Sequence, residues 1–223
     1  RLGESWLRLY QWAPHCLSFG RHEPALRRYH REGILALGLD TVRRPTGGRA
    51  VWHAQELTYA VATPSAHFGK LGRAYLEIHR MLADALWEVG APAYLAPAVR
   101  TPAIDAGACF AQPAGGEIMI AGRKVVGSAQ LRQGGALLQH GSILLQDNQE
   151  LVVQLMSGEA APPPTSALAE PWALASDIAD AIAAAAARCW PAAWRRIHHD
   201  SAVLSKAAKH YMHYRSAAWT WAR

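Results

Sequence analysis

The stretch EIMIAGRKVVGSAQLRQGGALLQHGSILL, residues 117–145, decides the fold. Glu117 to Ile120 and Val125 to Gln130 are rich in residues that suit strands. They flank Ala121-Gly122-Arg123, a connection of hairpin length containing a glycine. Gly134-Gly135 supplies a second tight turn into Ala136 to Leu145. Three antiparallel strands in series are expected here.

Working toward the N-terminus, Leu57 to Thr63 and Arg49 to His53 read as extended, and Pro45-Thr46-Gly47-Gly48 as a turn. Asp40 to Arg44 is a short strand. Leu7-Arg8-Leu9-Tyr10-Gln11-Trp12 alternates like another, and Pro14 ends it. Between these and the central stretch, Leu71, Ala74, Ile78, Leu82, Ala85 and Val89 repeat at helical spacing. Ser65 is the expected N-cap, and Gly90 with Pro92 the stop. Toward the C-terminus, Ala161-Pro162-Pro163-Pro164 is a break. Asp177 is expected to cap a helix to about Cys189, ended before Pro191. A last helix over Ser201 to Tyr214 carries Leu204, Ala208 and Tyr211 on one side. Strands in the middle with helices around them predict an α/β (α+β) sandwich of one sheet, since strict strand-helix alternation is absent.

The 223 residues are 51% hydrophobic and 18% charged, which excludes intrinsic disorder. The longest apolar run, Ala181 to Ala187, falls short of the roughly 18 residues of a membrane span. Glu4 and Arg8 argue against a secretory leader. The chain does not begin with Met, and a single domain over residues 1–223 is expected. Three cysteines cannot all pair, which favours a reducing, cytoplasmic compartment. The formal charge is +6, from 19 arginines and only 4 lysines against 17 carboxylates. It suits an acidic protein or a phosphate-bearing ligand. With no Lys/Arg run beyond two residues, a nucleic-acid tail is not indicated.

Four constellations carry chemistry. In Arg43-Arg44-Pro45-Thr46-Gly47-Gly48-Arg49-Ala50-Val51-Trp52-His53, paired glycines let backbone approach a ligand and two arginines can grip an anion. An ordinary hairpin turn is the alternative. In Gly122 to Gln130, Lys124 opens a strand. Facing a pocket it can polarise a carbonyl, and at its mouth it can be lost with little damage to the core. Facing solvent it does nothing. Cys109 lies in a loop after Gly107-Ala108, where a thiolate can attack if cations are near. An inert cysteine is the alternative, and Cys16 and Cys189 look duller still, Cys189 on the apolar side of its helix. His140, beside Gly141, is a core histidine or a general base. His198, His199, His210 and His213 read as surface residues, and no metal site is expected.

Together these pieces resemble one family. Arg43 to His53 is similar to the double-arginine, double-glycine, histidine motif of the lipoate-protein ligase and biotin-protein ligase superfamily. Gly122 to Gln130 resembles its catalytic-lysine segment, and Gln139 to Leu145 the strand that follows. Leu7 to Gly20 resembles the early strand with its Ser-x-Gly continuation. The match covers most of residues 7 to 150. Glu56-Leu57-Thr58-Tyr59, where ATP-using ligases more usually have Gly-Asn, and Cys109-Phe110, fifteen residues before Lys124, are most like the cysteine-dependent octanoyltransferase branch.

The resemblance implies a mixed, largely antiparallel sheet flanked by helices, with an acyl tunnel beside Gly47-Gly48. The family's first helix is not seen before Leu7, and the accessory C-terminal domain of many ligases is not seen either. By the same resemblance Cys109 and Lys124 are catalytic. Arg43, Arg44, Gly47, Gly48, His53, Gly127, Ser128, His140 and Gly141 bind substrate. Octanoyl-acyl carrier protein is the implied donor and a lysine of a lipoyl-domain protein, such as the glycine-cleavage H protein, the acceptor. No cofactor is needed. The alternatives are an ATP- and magnesium-dependent ligase and a non-catalytic module that binds lipoyl domains.

Overall fold

The computed structural model describes residues 3–97, 115–146, 148–156, 173–198 and 200–222. The expected series of three strands is present: β7 (Ile118–Ile120), β8 (Arg123–Gln133) and β9 (Ala136–Leu144). Both hairpin connections have two residues. Ala121 and Gly122 have φ of 47° and 76°, and Gly134 and Gly135 have 56° and 76°. Two successive left-handed residues match the right-handed twist of the flanking strands. With β1 (Trp6–Tyr10), β5 (Glu56–Pro64) and β6 (Tyr94–Leu95), these strands form a six-stranded sheet in the order β1-β5-β9-β8-β7-β6. Every neighbouring pair is antiparallel.

The expectation of one sheet is corrected. β3 (Asp40–Arg43), β2 (Cys16–Phe19) and β4 (Val51–His53) form a second sheet in the order β3-β2-β4. Its β2–β3 pair is parallel and its β2–β4 pair antiparallel. Sequence reading missed β2 because all four of its residues are buried, so its pattern does not alternate.

The large sheet is covered on one face by α3 (Leu71–Glu88), which in turn packs on α5 (Ala175–Cys189). Tyr59, Val61 and Ile143 meet Ile78, Leu82, Leu86, Ile178 and Ile182 in the larger core. Truncating Leu82 or Ile182 to alanine in such a core typically costs about 2–5 kcal/mol. A second core, with Leu17, Phe19, Tyr29, Ile34, Trp52 and Trp221, holds the small sheet against α1 (Ala25–Arg28), α2 (Arg31–Ala36), α4 (Glu150–Gln154) and α7 (Ala217–Thr220). The helix α6 (Ser201–Arg215) has no buried residue, and Leu204 and Tyr211 on it are exposed.

Two expected caps are also corrected. α3 begins after Lys70, not Ser65, because the Ser65 N–H bonds the Gly135 carbonyl at 2.8 Å and Gly69 takes a φ of 71°. α5 begins after Leu174, which places Asp177 inside its first turn, where its charge still favours the helix dipole.

Candidate active site

A cavity of about 320 Å³ lies between the two sheets. Alternation along each strand decides what it sees. Thr58 and Ala60 of β5, Leu138, His140 and Ser142 of β9, and Gly127 and Ala129 of β8 line it. Their neighbours Tyr59, Gln139 and Ile143 are buried in the protein interior. β1 adds Arg8 and Tyr10, followed by Trp12. The small sheet adds Val42, Val51 and His53, and the intervening turn adds Pro45 and Gly48. Tyr214 reaches it from α6. The lining is mostly apolar, the chemistry of a hydrocarbon-binding site.

Arg43 and Arg44, expected to grip an anion, both line the cavity, and both also make a dense set of hydrogen bonds to the protein's own carbonyls. Arg43 is 1% exposed. Its Nε donates to the carbonyls of Trp219 (3.0 Å) and Thr220 (3.1 Å), and its Nη1 to those of Gly20 (2.7 Å), Arg21 (3.2 Å) and Glu23 (2.9 Å). Arg44 Nη1 donates to the Ser18 carbonyl (2.9 Å) and to Ser18 Oγ (2.6 Å). Arg44 Nη2 donates to the carbonyls of Gly47 (3.2 Å) and Arg49 (2.6 Å). The pair is a carbonyl clamp that holds the turn in shape. Gly48 has a φ of 92°, and a Cβ on Gly20 would stand 1.7 Å from the Gly48 oxygen. Backbone meets backbone there, which accounts for the Ser-x-Gly continuation of the early strand. Gly47 is open on its Cβ side.

His53 is held at both ring nitrogens. Nδ1 lies 2.7 Å from Glu56 Oε1 and Nε2 lies 2.6 Å from Ser18 Oγ. The Glu56 carboxylate accepts the Nδ1 proton, and the Ser18 hydroxyl holds the other nitrogen. Trp12 stacks on the ring with centroids 4.6 Å apart and donates through Nε1 to Thr58 Oγ1. Glu56, noted in the sequence only for standing where ligases have Gly-Asn, is thus the anchor of a cavity wall.

His140 Nε2 lies 2.6 Å from Thr46 Oγ1. Burial first, then the positive fields of Arg44 and His53, lower its pKa to about 4. His79 on α3 falls to about 4 as well. Its burial and then Lys124 push it down, against the Gly116 hydrogen bond. Both are neutral near pH 7. The unfolded chain binds these protons with a pKa near 6.5, so between pH 6.5 and 4 it holds more of them than the native state. Stability is therefore full above pH 6.5 and lost as the pH falls toward 4. Each histidine contributes up to about 1.4 kcal/mol per pH unit in that window. Urea titrations at pH 7 and pH 5 check this, and equal stability at the two would refute it.

Lys124 is buried at the start of β8. Its Nζ lies 2.6 Å from Glu117 Oε1, with the side chains 4% and 9% exposed. It does not line the cavity among the described residues. The expectation that it can be lost with little structural cost is thereby corrected. Ser128 and Gly141, both expected at the substrate site, line the cavity. Ser128 Oγ borders the cavity but bonds Tyr59 Oη (2.6 Å) and His79 Nε2 (2.8 Å). A Cβ on Gly141 would meet the Gly127 oxygen at 2.3 Å and Ser128 Oγ at 2.6 Å. Its glycine makes room for protein, not only for a ligand. Sequence reading missed Tyr59, His79 and Thr46, which stand behind the lining and bond Ser128 and His140. For Tyr59 and His79 the available signal was a polar group at a core position of a strand or helix.

Cys109 lies outside the described residues. Of the other two, Cys16 is buried, and desolvation, followed by the fields of Asp40 and Glu56, pushes its thiol up to about 12. It is a poor nucleophile. Cys189 is exposed at the end of α5, a correction to its expected apolar setting. Its pKa is raised, by desolvation first and Asp84 next. His198, His210 and His213 are exposed.

Two sheets enclosing an apolar cavity, with a double-arginine, double-glycine turn in its wall, are the architecture of a lipoate-protein ligase catalytic domain. Lipoate-protein ligase A bound with ATP superposes with a TM-score of 0.77 at 17% identity, covering 99% of this chain and 87% of that one. A bipartite lipoate protein ligase from Thermoplasma acidophilum, solved with its E2 lipoyl domain, gives 0.71 at 16% identity, covering 99% and 85%. The chain belongs to the lipoyl protein ligase A/B catalytic domain family, whose sequence model matches residues 1–170. Within it, the octanoyltransferase LipM of Moorella thermoacetica is 42% identical over 147 residues, 64% of this chain and 54% of that protein. The octanoyltransferase LipM of Kyrpidia tusciae is 40% identical over 158 residues, 67% and 58% of the respective lengths. The aligned part is little more than half the length of these relatives.

Proposed function

We propose that this chain moves an octanoyl group from acyl carrier protein, through a thioester on Cys109, to a lysine of a lipoyl-domain protein such as the glycine-cleavage H protein. The identity of about 40% to octanoyltransferases carries the reading. The apolar cavity supports it, because each buried methylene contributes about 0.8 kcal/mol and the volume lies near the small end of ligand pockets. The raised pKa of Cys16 supports Cys109 as the nucleophile by leaving one fewer competitor.

The reaction is a double displacement. The Cys109 thiolate adds to the thioester carbonyl, a new C–S bond forms, and the carrier thiolate leaves and takes up a proton. The acceptor amine, once deprotonated, then attacks the Cys109 thioester. The amide C–N bond forms, the nitrogen sheds its second proton, and the Cys109 thiolate departs. Backbone N–H groups stabilise the oxyanion of both steps, and the resemblance of Gly122 to Gln130 to the family's lysine segment gives Lys124, ion-paired with Glu117 outside the cavity lining, a part in the same stabilisation. One thioester replaces another in the first step at little change in free energy, so no nucleotide is required. The +6 charge suits acidic carrier and acceptor proteins, and the setting is cytoplasmic.

The test offers apo H protein with octanoyl-carrier protein and no ATP, or with free lipoate, ATP and magnesium. Modification in the first tube, with a hydroxylamine-sensitive octanoyl group mapped to Cys109, is expected. Modification only in the second establishes a ligase. Modification in neither, with tight binding of the acylated domain, establishes a binding module.

A further inference from the structure

A chain of hydrogen bonds crosses the helix side of the large sheet, and each polarity in it can be assigned. Gln130 Nε2 donates to Gln139 Oε1 (2.8 Å), and Gln139 Nε2 donates to Tyr59 Oη (3.0 Å). At the far end, His79 Nδ1 lies 2.7 Å from the Gly116 carbonyl. A carbonyl only accepts, so in neutral His79 the proton is on Nδ1 and Nε2 holds a lone pair. The Ser128 hydroxyl therefore donates to Nε2 (2.8 Å), and the Tyr59 hydroxyl donates to Ser128 Oγ (2.6 Å). His79, Tyr59 and Gln139 are each 0% exposed. A buried polar chain of this length is costly if broken and rigid if complete.

Its terminus is what matters for chemistry. Gly116 immediately precedes Glu117, the ion-pair partner of Lys124. Its N–H bonds the Ala96 carbonyl at 2.8 Å, and the Ala96 N–H bonds the Glu117 carbonyl at 2.7 Å. Gly116 takes a φ of 81°, and a Cβ there would meet Leu76 Cδ2 of α3 at 2.8 Å. Tyr75 lies against the His79 ring at 4.0 Å between centroids. The turn before Glu117 is thus pressed onto α3 and pinned to it by one imidazole N–H.

We propose that His79 is a positioning residue for Lys124: its Nδ1–H···O=C bond to Gly116 holds the turn that carries Glu117, and through Glu117 sets where the Lys124 ammonium sits. The inference rests on the transferase reading for its consequence in rate, but not for its consequence in the position of Lys124. Ser128 is the other arm of the same device. It accepts from Tyr59 and donates to His79, which keeps the His79 proton on the nitrogen facing Gly116.

The two imidazole nitrogens can be replaced separately. The amide of His79→Asn puts a donor near the place of Nδ1, and that of His79→Gln puts one near the place of Nε2. Lys124 is one of four lysines, and Lys70, Lys206 and Lys209 are exposed. Acetylation of the full chain with an amine-reactive ester, read lysine by lysine by peptide mass mapping, therefore reports on Lys124 against three internal references. In His79→Gln, Lys124 is expected to label several-fold faster while the other three are unchanged. Octanoyl transfer should lose roughly tenfold to a hundredfold in kcat with KM for the donor near wild type. His79→Asn should restore both. Equal labelling of Lys124 in all forms, or failure of His79→Asn to restore what His79→Gln loses, overturns the proposal. If the wild type transfers nothing but Lys124 labelling follows this pattern, the transferase reading fails and the positioning role stands.

Discussion

Lys124→Ala is expected to lose on the order of 100-fold or more in octanoyl transfer, and to lose stability as well. The second loss follows from geometry. Lys124 Nζ and Glu117 Oε1 are 2.6 Å apart and both side chains are buried. Removing one partner breaks a buried ion pair, which typically costs about 3–5 kcal/mol. A single substitution therefore cannot separate catalysis from folding. The double variant Lys124→Met/Glu117→Leu can. Replacing a buried ion pair by apolar side chains is often neutral for stability, so its melting temperature should return toward wild type. Its transfer rate should not, because no ammonium remains to meet the oxyanion. Steady-state rates and thermal melts on the two variants check this. A double variant that regains both stability and rate would make Lys124 a structural residue.

The parts legible in the sequence were those that local rules decide. Two glycine-containing turns of the correct length set the β7-β8-β9 series, and helical spacing from Leu71 to Val89 set α3. The alternation of Thr58, Ala60, Leu138, His140 and Ser142 with their buried neighbours is what builds the cavity wall. What stayed hidden depends on pairs distant in sequence. Glu117 was inside the quoted stretch, yet its pairing with Lys124 requires the register of the hairpin. Met119 faces Lys124 and Ile118 faces Val126, with an irregularity between them. His79 reads as one more residue on an amphipathic helix, and only the fold brings Gly116 and Ser128 to its two nitrogens. Ser65 looked like a cap because serine caps helices. The tertiary bond from its N–H to Gly135 outweighed that preference.

Arg43→Lys tests the same lesson at the double-arginine motif, with an effect on stability larger than on binding. The sequence pattern allows an anion clamp, and an anion clamp predicts a stable variant that binds donor weakly. The structure gives a different expectation. The Arg43 guanidinium bridges carbonyls from two places far apart in the chain, Gly20, Arg21 and Glu23 on one side and Trp219 and Thr220 on the other. Trp219 returns a bond from its indole Nε1 to the Arg43 carbonyl at 2.9 Å, and Trp221 stands in the small core against Phe19. Lysine has one nitrogen with three donors and no planar fork, so it cannot span both groups. Each buried carbonyl left unsatisfied costs about 1–3 kcal/mol, and several are at stake in a protein whose total stability is of order 5–15 kcal/mol. The expected result is a loss of at least about 3 kcal/mol on urea unfolding, with α7 released first. Faster proteolysis between Arg215 and Trp221 and a red shift of tryptophan emission would show that release. If Arg43→Lys instead unfolds like the wild type, keeps its C-terminal segment protected and loses only affinity for the acyl donor, the guanidinium belongs to the ligand and the carbonyl clamp is incidental.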